Sequence, residues 1–356
     1  MNIPKTMQAL MAYGPGRYRV EEVPVPVPTE DDLLIRVEAC GICAGDIKAY
    51  EKASRFWGGD GMPGYCEPPF IPGHEIVGQV VAASRRMADA FKPGDRVVSE
   101  QIVPCGTCRY CKDGRYWLCD PHNVYGFKQS LPGGMAEYMI LPEGSRNYVI
   151  PADLPTNKAV LIEPFACSLH AVRRGSITVD HVVVLAGTGT LGLGMTGAIR
   201  QRNPKLFIAL DLSDQRLALA KQFGADITLN PSREDAIARV LELTDGYGCD
   251  VYIDATGYAP SVGQGLAMIA KGGTFVEMSV FSSPATVDWS IIGDTKELVI
   301  RGSQLSPYCY PPTIEGIVSG VIPTQGVVTH EFPLDKWEEA FNTAKGGQAI
   351  KVIVRP

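Results

Sequence analysis

The stretch HVVVLAGTGTLGLG, His181 to Gly194, constrains the fold of this chain more than any other. A run of β-forming residues ends at Gly187, and Gly189 and Gly192 follow with G-x-G-x-x-G spacing before a segment that reads as a helix from Leu191 to Arg202. In a strand–turn–helix the first glycine permits the tight turn. The second lets a pyrophosphate approach the backbone, and the third lets helix and strand pack closely. The helix start then offers unpaired N–H groups to the phosphates. A second strand, LFIALDL, ends in Asp211, about twenty residues past the glycines, where a carboxylate would accept hydrogen bonds from a ribose and repel a 2′-phosphate. NAD is therefore expected rather than NADP. Thr190, Leu191 and Thr256 complete the candidate cofactor-binding set, with Arg216 either against the adenine or in solvent. A glycine-rich turn without a ligand is the plain alternative, and strand, helix and acid together tell against it.

Around this motif strands and helices alternate: DITLN, a helix across 233–243, CDVYIDAT, a helix across 261–270, and GTFVEMSV, after a helix across Gln215–Phe223. Repeated β-α-β units make a parallel, doubly wound sheet. Upstream the pattern differs. Short apolar segments (MQALMAY, LLIRVEACGIC, EIVGQVVAA, DRVVSEQIV, AEYMILPE) are separated by PGHE, KPGD and LPGG, the signature of antiparallel β in a partly closed barrel. Pro24, Pro26 and Pro28 restrict their segment to an edge or loop. PTNKAVLIEPFACSLHAVRRG reads as helical, and the tail THEFPLDKWEEAFNTAKGGQAIKVIVRP as strand–helix–strand. The expected layout is a barrel domain over 1–160, a dinucleotide-binding domain over 161–302, and a return to the barrel over 303–356.

CGTCRYCKDGRYWLC crowds Cys105, Cys108, Cys111 and Cys119 into fifteen residues. Thiolates bind zinc tetrahedrally, and cysteines separated by two residues reach one metal from a tight turn, which Gly106 and Gly114 would relieve. Four thiolates leave no open position, so this zinc is structural. An iron–sulfur cluster would continue with a three-residue gap and a proline; here the gap is seven residues and Asp120 follows.

The totals set further bounds. The 356 residues, 45% hydrophobic and 20% charged, suit two globular domains. A net charge of −6 without basic runs argues against nucleic acid or an anionic membrane as partner. MNIPKTMQALMAYGPG contains no signal-length apolar core, so a cytoplasmic location, where disulfides are disfavoured, is the expectation.

Three further segments, EACGICAGD, IPGHEIVG and LIEPFACSLH, carry Cys43, His74, Glu75 and Glu163. Singly each has a bland reading as a core cysteine, a surface turn or a solvated helix residue. With GHE, KPGDRV, the quartet, G-x-G-x-x-G and EAF…AIKVIV in this order, nearly the whole chain resembles the zinc-dependent medium-chain dehydrogenases/reductases. The resemblance implies a GroES-like catalytic barrel beside a Rossmann domain. It implies that Cys43, His74 and Glu163 ligate a catalytic zinc, that Glu75 ligates or exchanges with water, and that Asp46 orients the His74 imidazole. The implied chemistry is Lewis-acid-assisted hydride transfer from an alcohol to NAD, with the substrate in a cleft between the domains. Gly45 departs from the family, which usually has Ser or Thr there to pass the alcohol proton outward. Glu75 or Glu163, through a water, is the expected substitute route.

The long segment IKAYEKASRFWGGDGMPGYCEPPFIPG is expected to wall the cleft, because metal ligands flank it. Its FWG, with GICAGD, resembles the erythritol/threitol-type branch of sugar-alcohol dehydrogenases, a branch that suggests a homotetramer, with a dimer as the alternative. The substrate expected is a small polyol, with L-threonine as the nearest competitor. A zinc-free, crystallin-like cofactor-binding protein is the non-enzyme alternative, which Cys43, His74 and Glu163 argue against. Cys167 and His170, on one face of the Glu163 helix, either line the cleft or pack in the core.

Overall fold

The computed structural model describes residues 3–59, 61, 63–84, 86–281 and 283–356. Asp60 and Met62 of the expected cleft wall lie outside the described residues. The chain divides into two compact units. One comprises 1–163, 310–318 and 327–356; the other comprises 164–309 and 319–326.

The first unit is built on antiparallel strands. β1 (Thr6–Ala12) and β2 (Tyr18–Pro24) form a hairpin, and β2 stops at the first of the three prolines. β3 (Leu33–Gly41), β4 (Glu75–Ala83), β5 (Arg96–Ser99), β6 (Tyr138–Leu141) and β7 (Asn147–Ile150) follow. β3 is the spine. It pairs with both β4 and β6, and Leu33, Leu34, Ile35 and Val37 are all buried. Burial of each such side chain is worth about 1.5–3 kcal/mol. DRVVSEQIV forms a strand as far as Ser99; beyond it the Glu100 amide donates to the Arg146 carbonyl, and its carboxylate accepts from Arg146 and the Tyr148 hydroxyl.

The second unit contains β8 (Val182–Ala186), β9 (Leu206–Leu210), β10 (Ile227–Leu229), β11 (Cys249–Asp254), β12 (Ile269–Glu277) and β13 (Val299–Gly302). They form one parallel sheet in the order β10-β9-β8-β11-β12-β13, the doubly wound order with its switch point between β8 and β11. β14 (Val328–Pro333) and β15 (Lys351–Arg355) complete the first unit's seven-stranded sheet, in the order β14-β15-β3-β4-β5-β7 with β6 on β3.

The expected helices form with small shifts. Thr190–Arg200 starts one residue early, and the others span Asp214–Gln222, Ala236–Leu243 and Ala259–Met268. Ser213 and Asp235 cap two of them by accepting from Arg216 and Ala238 amides. The stretch read as helical from Pro155 forms two helices, Thr156–Ala159 and Ile162–Arg174. No helix among the described residues is long and apolar enough to cross a membrane.

Candidate active site and metal centres

Strand register brings the dispersed residues of the first unit together. β3 and β4 are antiparallel, with Gly41 opposite Glu75. Cys43 therefore lies just beyond the end of one strand, and His74 just before the start of its neighbour. Donor atoms of Cys43, His74 and Glu75 all lie within 4.8 Å of one another, with His74 and Glu75 buried. Cys43 is also the N-cap of the helix Ala44–Tyr50. Its sulfur accepts from the Gly45 amide at 3.4 Å, and its own amide donates to Asp46 Oδ2 at 2.9 Å, a capping box. The cap puts Asp46 Oδ1 3.7 Å from His74 Nδ1. Both atoms are buried without a hydrogen-bond partner.

The turn that leads into His74 is held by backbone. The Gly133 amide donates to Ile71, the Gly134 amide to Gly73 and the Met135 amide to Pro72. A Cβ on Gly133 would lie 2.2 Å from the Gly73 carbonyl oxygen, and Gly73 itself has φ 98°. Only glycine lets these turns touch.

Sequence reasoning missed Lys351. Its fully buried ammonium donates to Glu75 Oε1 and Oε2 at 2.7 and 2.6 Å and to the Ile42 carbonyl at 3.0 Å. No local pattern marked it: Lys351 opens β15, whose other cation, Arg355, pairs with Glu331. Gly41 makes room for the pair, since a Cβ there would lie 2.0 Å from Glu75 Oε2. Glu163, buried in the first turn of Ile162–Arg174, is outside the group of three whose donors all lie within 4.8 Å. Its charge nonetheless reaches both His74 and Lys351.

The electrostatics call for a cation. Burial opposes a charged His74, yet Asp46, Cys43 and Glu163 outweigh it and hold the imidazole well above its usual pKa. Burial pushes the Asp46 carboxyl up. Three acidic side chains (Asp46, Glu75, Glu163) and a thiol thus face two basic ones, the His74 imidazole and the Lys351 ammonium. Sulfur, imidazole and carboxylate around one point are a zinc donor set, and an acid behind the histidine is what fixes its tautomer.

An aromatic wall flanks the group. Phe56 stacks on Phe127 with centroids 5.3 Å apart, and Phe127 lies 5.5 Å from the His74 ring. Trp57, on the same predicted wall segment, stacks on Phe70 and donates to the Ala49 carbonyl.

The quartet also converges, with all four sulfurs within 4.8 Å of one another. Gly106 and Gly114 adopt φ 70° and 73°, as their turns require. The Cys108 and Thr107 amides donate to Cys105 Sγ, and the Cys105 amide to Cys119 Sγ. The Thr107 hydroxyl and these amides pull the Cys105 thiol down to about 6, whereas burial pushes Cys111 up to about 12. Four adjacent thiols ionise together only around a cation, so the set fits zinc.

In the second unit Gly187 has φ 90°, and a Cβ on it would lie 2.9 Å from the Ala255 carbonyl oxygen. A Cβ on Gly192 would lie 2.0 Å from the Gly187 oxygen. Asp211 stitches the turn from β9: Oδ2 accepts from the Thr188 amide at 2.7 Å and its hydroxyl at 3.0 Å, while Oδ1 accepts from Ser213. Arg216 lies beside Gly189, 3.9 Å from where a Cβ would be. Thr190 and Leu191 open the helix, and the Leu191 carbonyl accepts from Ser168, another residue that sequence reasoning missed. Across the switch point, Thr256 donates through amide and hydroxyl to Asp254. Cys167 is buried, and His170 is half-buried.

Residues 29–153 match the alcohol dehydrogenase GroES-like domain, and residues 198–319 the zinc-binding dehydrogenase domain. The chain is 46% identical to the erythritol/L-threitol dehydrogenase of Mycolicibacterium smegmatis, over 99% of each chain. It belongs to the zinc-type medium-chain dehydrogenases/reductases. A sorbitol dehydrogenase of Halalkalibacterium halodurans is 31% identical over 98% of this chain and 99% of its own. Among solved structures, an alcohol dehydrogenase of Escherichia coli CFT073 complexed with NADH superposes with a TM-score of 0.87 at 26% identity. That match covers 99% of this chain and all of the other.

As a member of this family the protein is a zinc-containing, NAD-dependent dehydrogenase. Its two metal sites differ as their donors dictate, one closed by four thiolates and one of mixed sulfur, nitrogen and oxygen.

Proposed function

We propose that this dehydrogenase oxidises a secondary hydroxyl of a short polyol, of the erythritol/threitol kind, to a ketose, and reverses the reaction at high NADH. The observation that carries this reading is the 46% identity, end to end, with the erythritol/L-threitol dehydrogenase. Bound zinc would supply a Lewis acid at the reacting oxygen, and NAD the hydride acceptor.

The chain's own residues would divide the remaining work. Cys43 and His74 hold the metal, with Glu75 or Glu163 as the acidic ligand. Asp46 fixes the ring of His74, and Lys351 anchors Glu75. Asp211, Gly187, Gly189, Thr190, Leu191, Gly192, Arg216 and Thr256 bind the dinucleotide. The reading includes a cytoplasmic homo-oligomer, a tetramer or a dimer. In its favour, β13 is an edge strand whose Val299 and Ile300 are exposed, a surface suited to pairing with a second copy.

The test is NADH formation at 340 nm with erythritol, both threitols, xylitol, sorbitol and L-threonine. The four-carbon polyols should give the highest kcat/KM. Activity on threonine alone would replace the polyol with an amino acid.

A further inference from the structure

Gly45 is unlike the other glycines around the metal ligands. Gly41, Gly73 and Gly133 have no room for a Cβ, whereas a Cβ on Gly45 would meet Phe56 Cζ at 3.7 Å, Cys43 Sγ at 3.8 Å and Phe127 Cζ at 3.9 Å, all ordinary contacts. Its backbone lies outside the left-handed region. Neither packing nor conformation demands glycine. The missing side chain leaves a gap beside the Cys43 sulfur. Gly45 and Cys43 are partly exposed and Ala44 is exposed, so the gap is open to a small molecule.

The nearest groups around this gap are two phenyl rings and a sulfur, none of which relays a proton. Both oxygens of Glu75, the carboxylate that shares the metal group with Cys43 and His74, are engaged by Lys351. An alcohol oxidised beside Cys43 and His74 must still shed its hydroxyl proton. We infer that the substrate brings its own relay: the hydroxyl on the neighbouring carbon occupies the gap at Gly45 and carries the proton out.

The step balances without another reactant. The O–H bond of the reacting hydroxyl breaks, and its proton passes to the neighbouring hydroxyl oxygen, which releases its own proton to water. The C–H electron pair leaves as hydride, so the carbinol becomes a ketone and NAD⁺ becomes NADH. The phenyl rings pack against the carbon chain while the second hydroxyl faces the partly exposed side. Gly45 is thereby a specificity determinant for vicinal diols. This inference builds on the polyol reading but is tested separately from it.

The experiment compares butane-2,3-diol with butan-2-ol on the zinc-loaded enzyme with NAD⁺. A positioned proton relay contributes about 10²–10⁴-fold, so wild-type kcat for the diol should exceed that for the mono-alcohol by about a hundredfold or more. Gly45→Ser supplies a hydroxyl, so it should raise butan-2-ol turnover at least about tenfold and compress the ratio. Gly45→Ala fills the gap without a hydroxyl. It should lower diol turnover and leave butan-2-ol no better.

Calorimetry on the enzyme–NADH complex gives a readout independent of turnover. Gly45→Ala should weaken diol binding by about tenfold, because the methyl takes the space of the second hydroxyl, and leave butan-2-ol binding unchanged. A wild-type ratio near one, identical behaviour of the Ser and Ala variants, or equal binding losses for both alcohols would each overturn the inference. The wild-type comparison stands even where a variant fails to fold. Failure of every polyol, with the diol ratio and serine rescue intact, would remove the polyol reading and leave this one standing.

Discussion

Replacing Lys351 with Met should be among the most damaging single changes in the first unit. The lysine is 4% exposed, and its ammonium reaches both Glu75 oxygens and the Ile42 carbonyl. Burial alone would drive its pKa down, and Glu75, Cys43 and Glu163 reverse that and raise it. Methionine keeps the apolar stem of lysine but leaves Glu75 as a buried, uncompensated charge. Breaking a buried pair from one side costs about 3–5 kcal/mol. At about 2–4 °C per kcal/mol for a unit of this size, the unfolding midpoint should fall by about 6–20 °C.

The informative measurement is a double-mutant cycle of Lys351→Met, Glu75→Gln and the combination, by calorimetric melting of zinc-stripped protein. The double variant removes both charges and should recover much of the loss, a coupling of about 2–3 kcal/mol. Additive losses, with coupling below about 0.5 kcal/mol, would refute the claim that Lys351 exists to neutralise Glu75.

Two further predictions concern other parts of the molecule. Cys119→Ser should lower bound zinc from two ions to one per chain by atomic absorption while the protein stays colourless; a broad brown absorbance in the wild type would mean iron–sulfur instead. Burial, with help from Arg174 and Arg173, pulls the His170 imidazole down to about 4. The unfolded chain protonates near 6.5, so as pH falls from 7 to 4 the unfolded state takes up the proton first and stability is lost. Allowing for partial exposure this loss is about 1–2 kcal/mol. His170→Gln should flatten the urea-denaturation midpoint over that window, and an unchanged acid slope would count against it.

The parts of this molecule legible in the sequence are those whose chemistry is local. The turn at Gly187–Gly192 and the quartet at Cys105–Cys119 each lie within fifteen residues, so spacing alone indicates geometry. Cys43, His74, Glu75 and Asp46 were legible as candidates. What unites them is the pairing of Gly41 with Glu75 across β3 and β4, which no local pattern encodes. Lys351 was invisible for the same reason, because its partner lies 276 residues away.

The glycines carry the argument one step further. In sequence Gly41, Gly45 and Gly133 look alike, and a resemblance marks only Gly45 as unusual. Building a Cβ at each separates them. At Gly41 it collides with Glu75, at Gly133 with the Gly73 carbonyl, and at Gly45 it touches nothing closer than 3.7 Å. The first two are glycine because the fold closes only over a bare backbone, and substitution there would displace a candidate ligand. The third is glycine with room to spare, and folding offers no reason for it. A space that packing does not require, beside the Cys43 sulfur and bounded by hydrocarbon, is best explained by what enters it during turnover. That is why a change as small as Gly45→Ser is expected to alter substrate choice with little effect on stability.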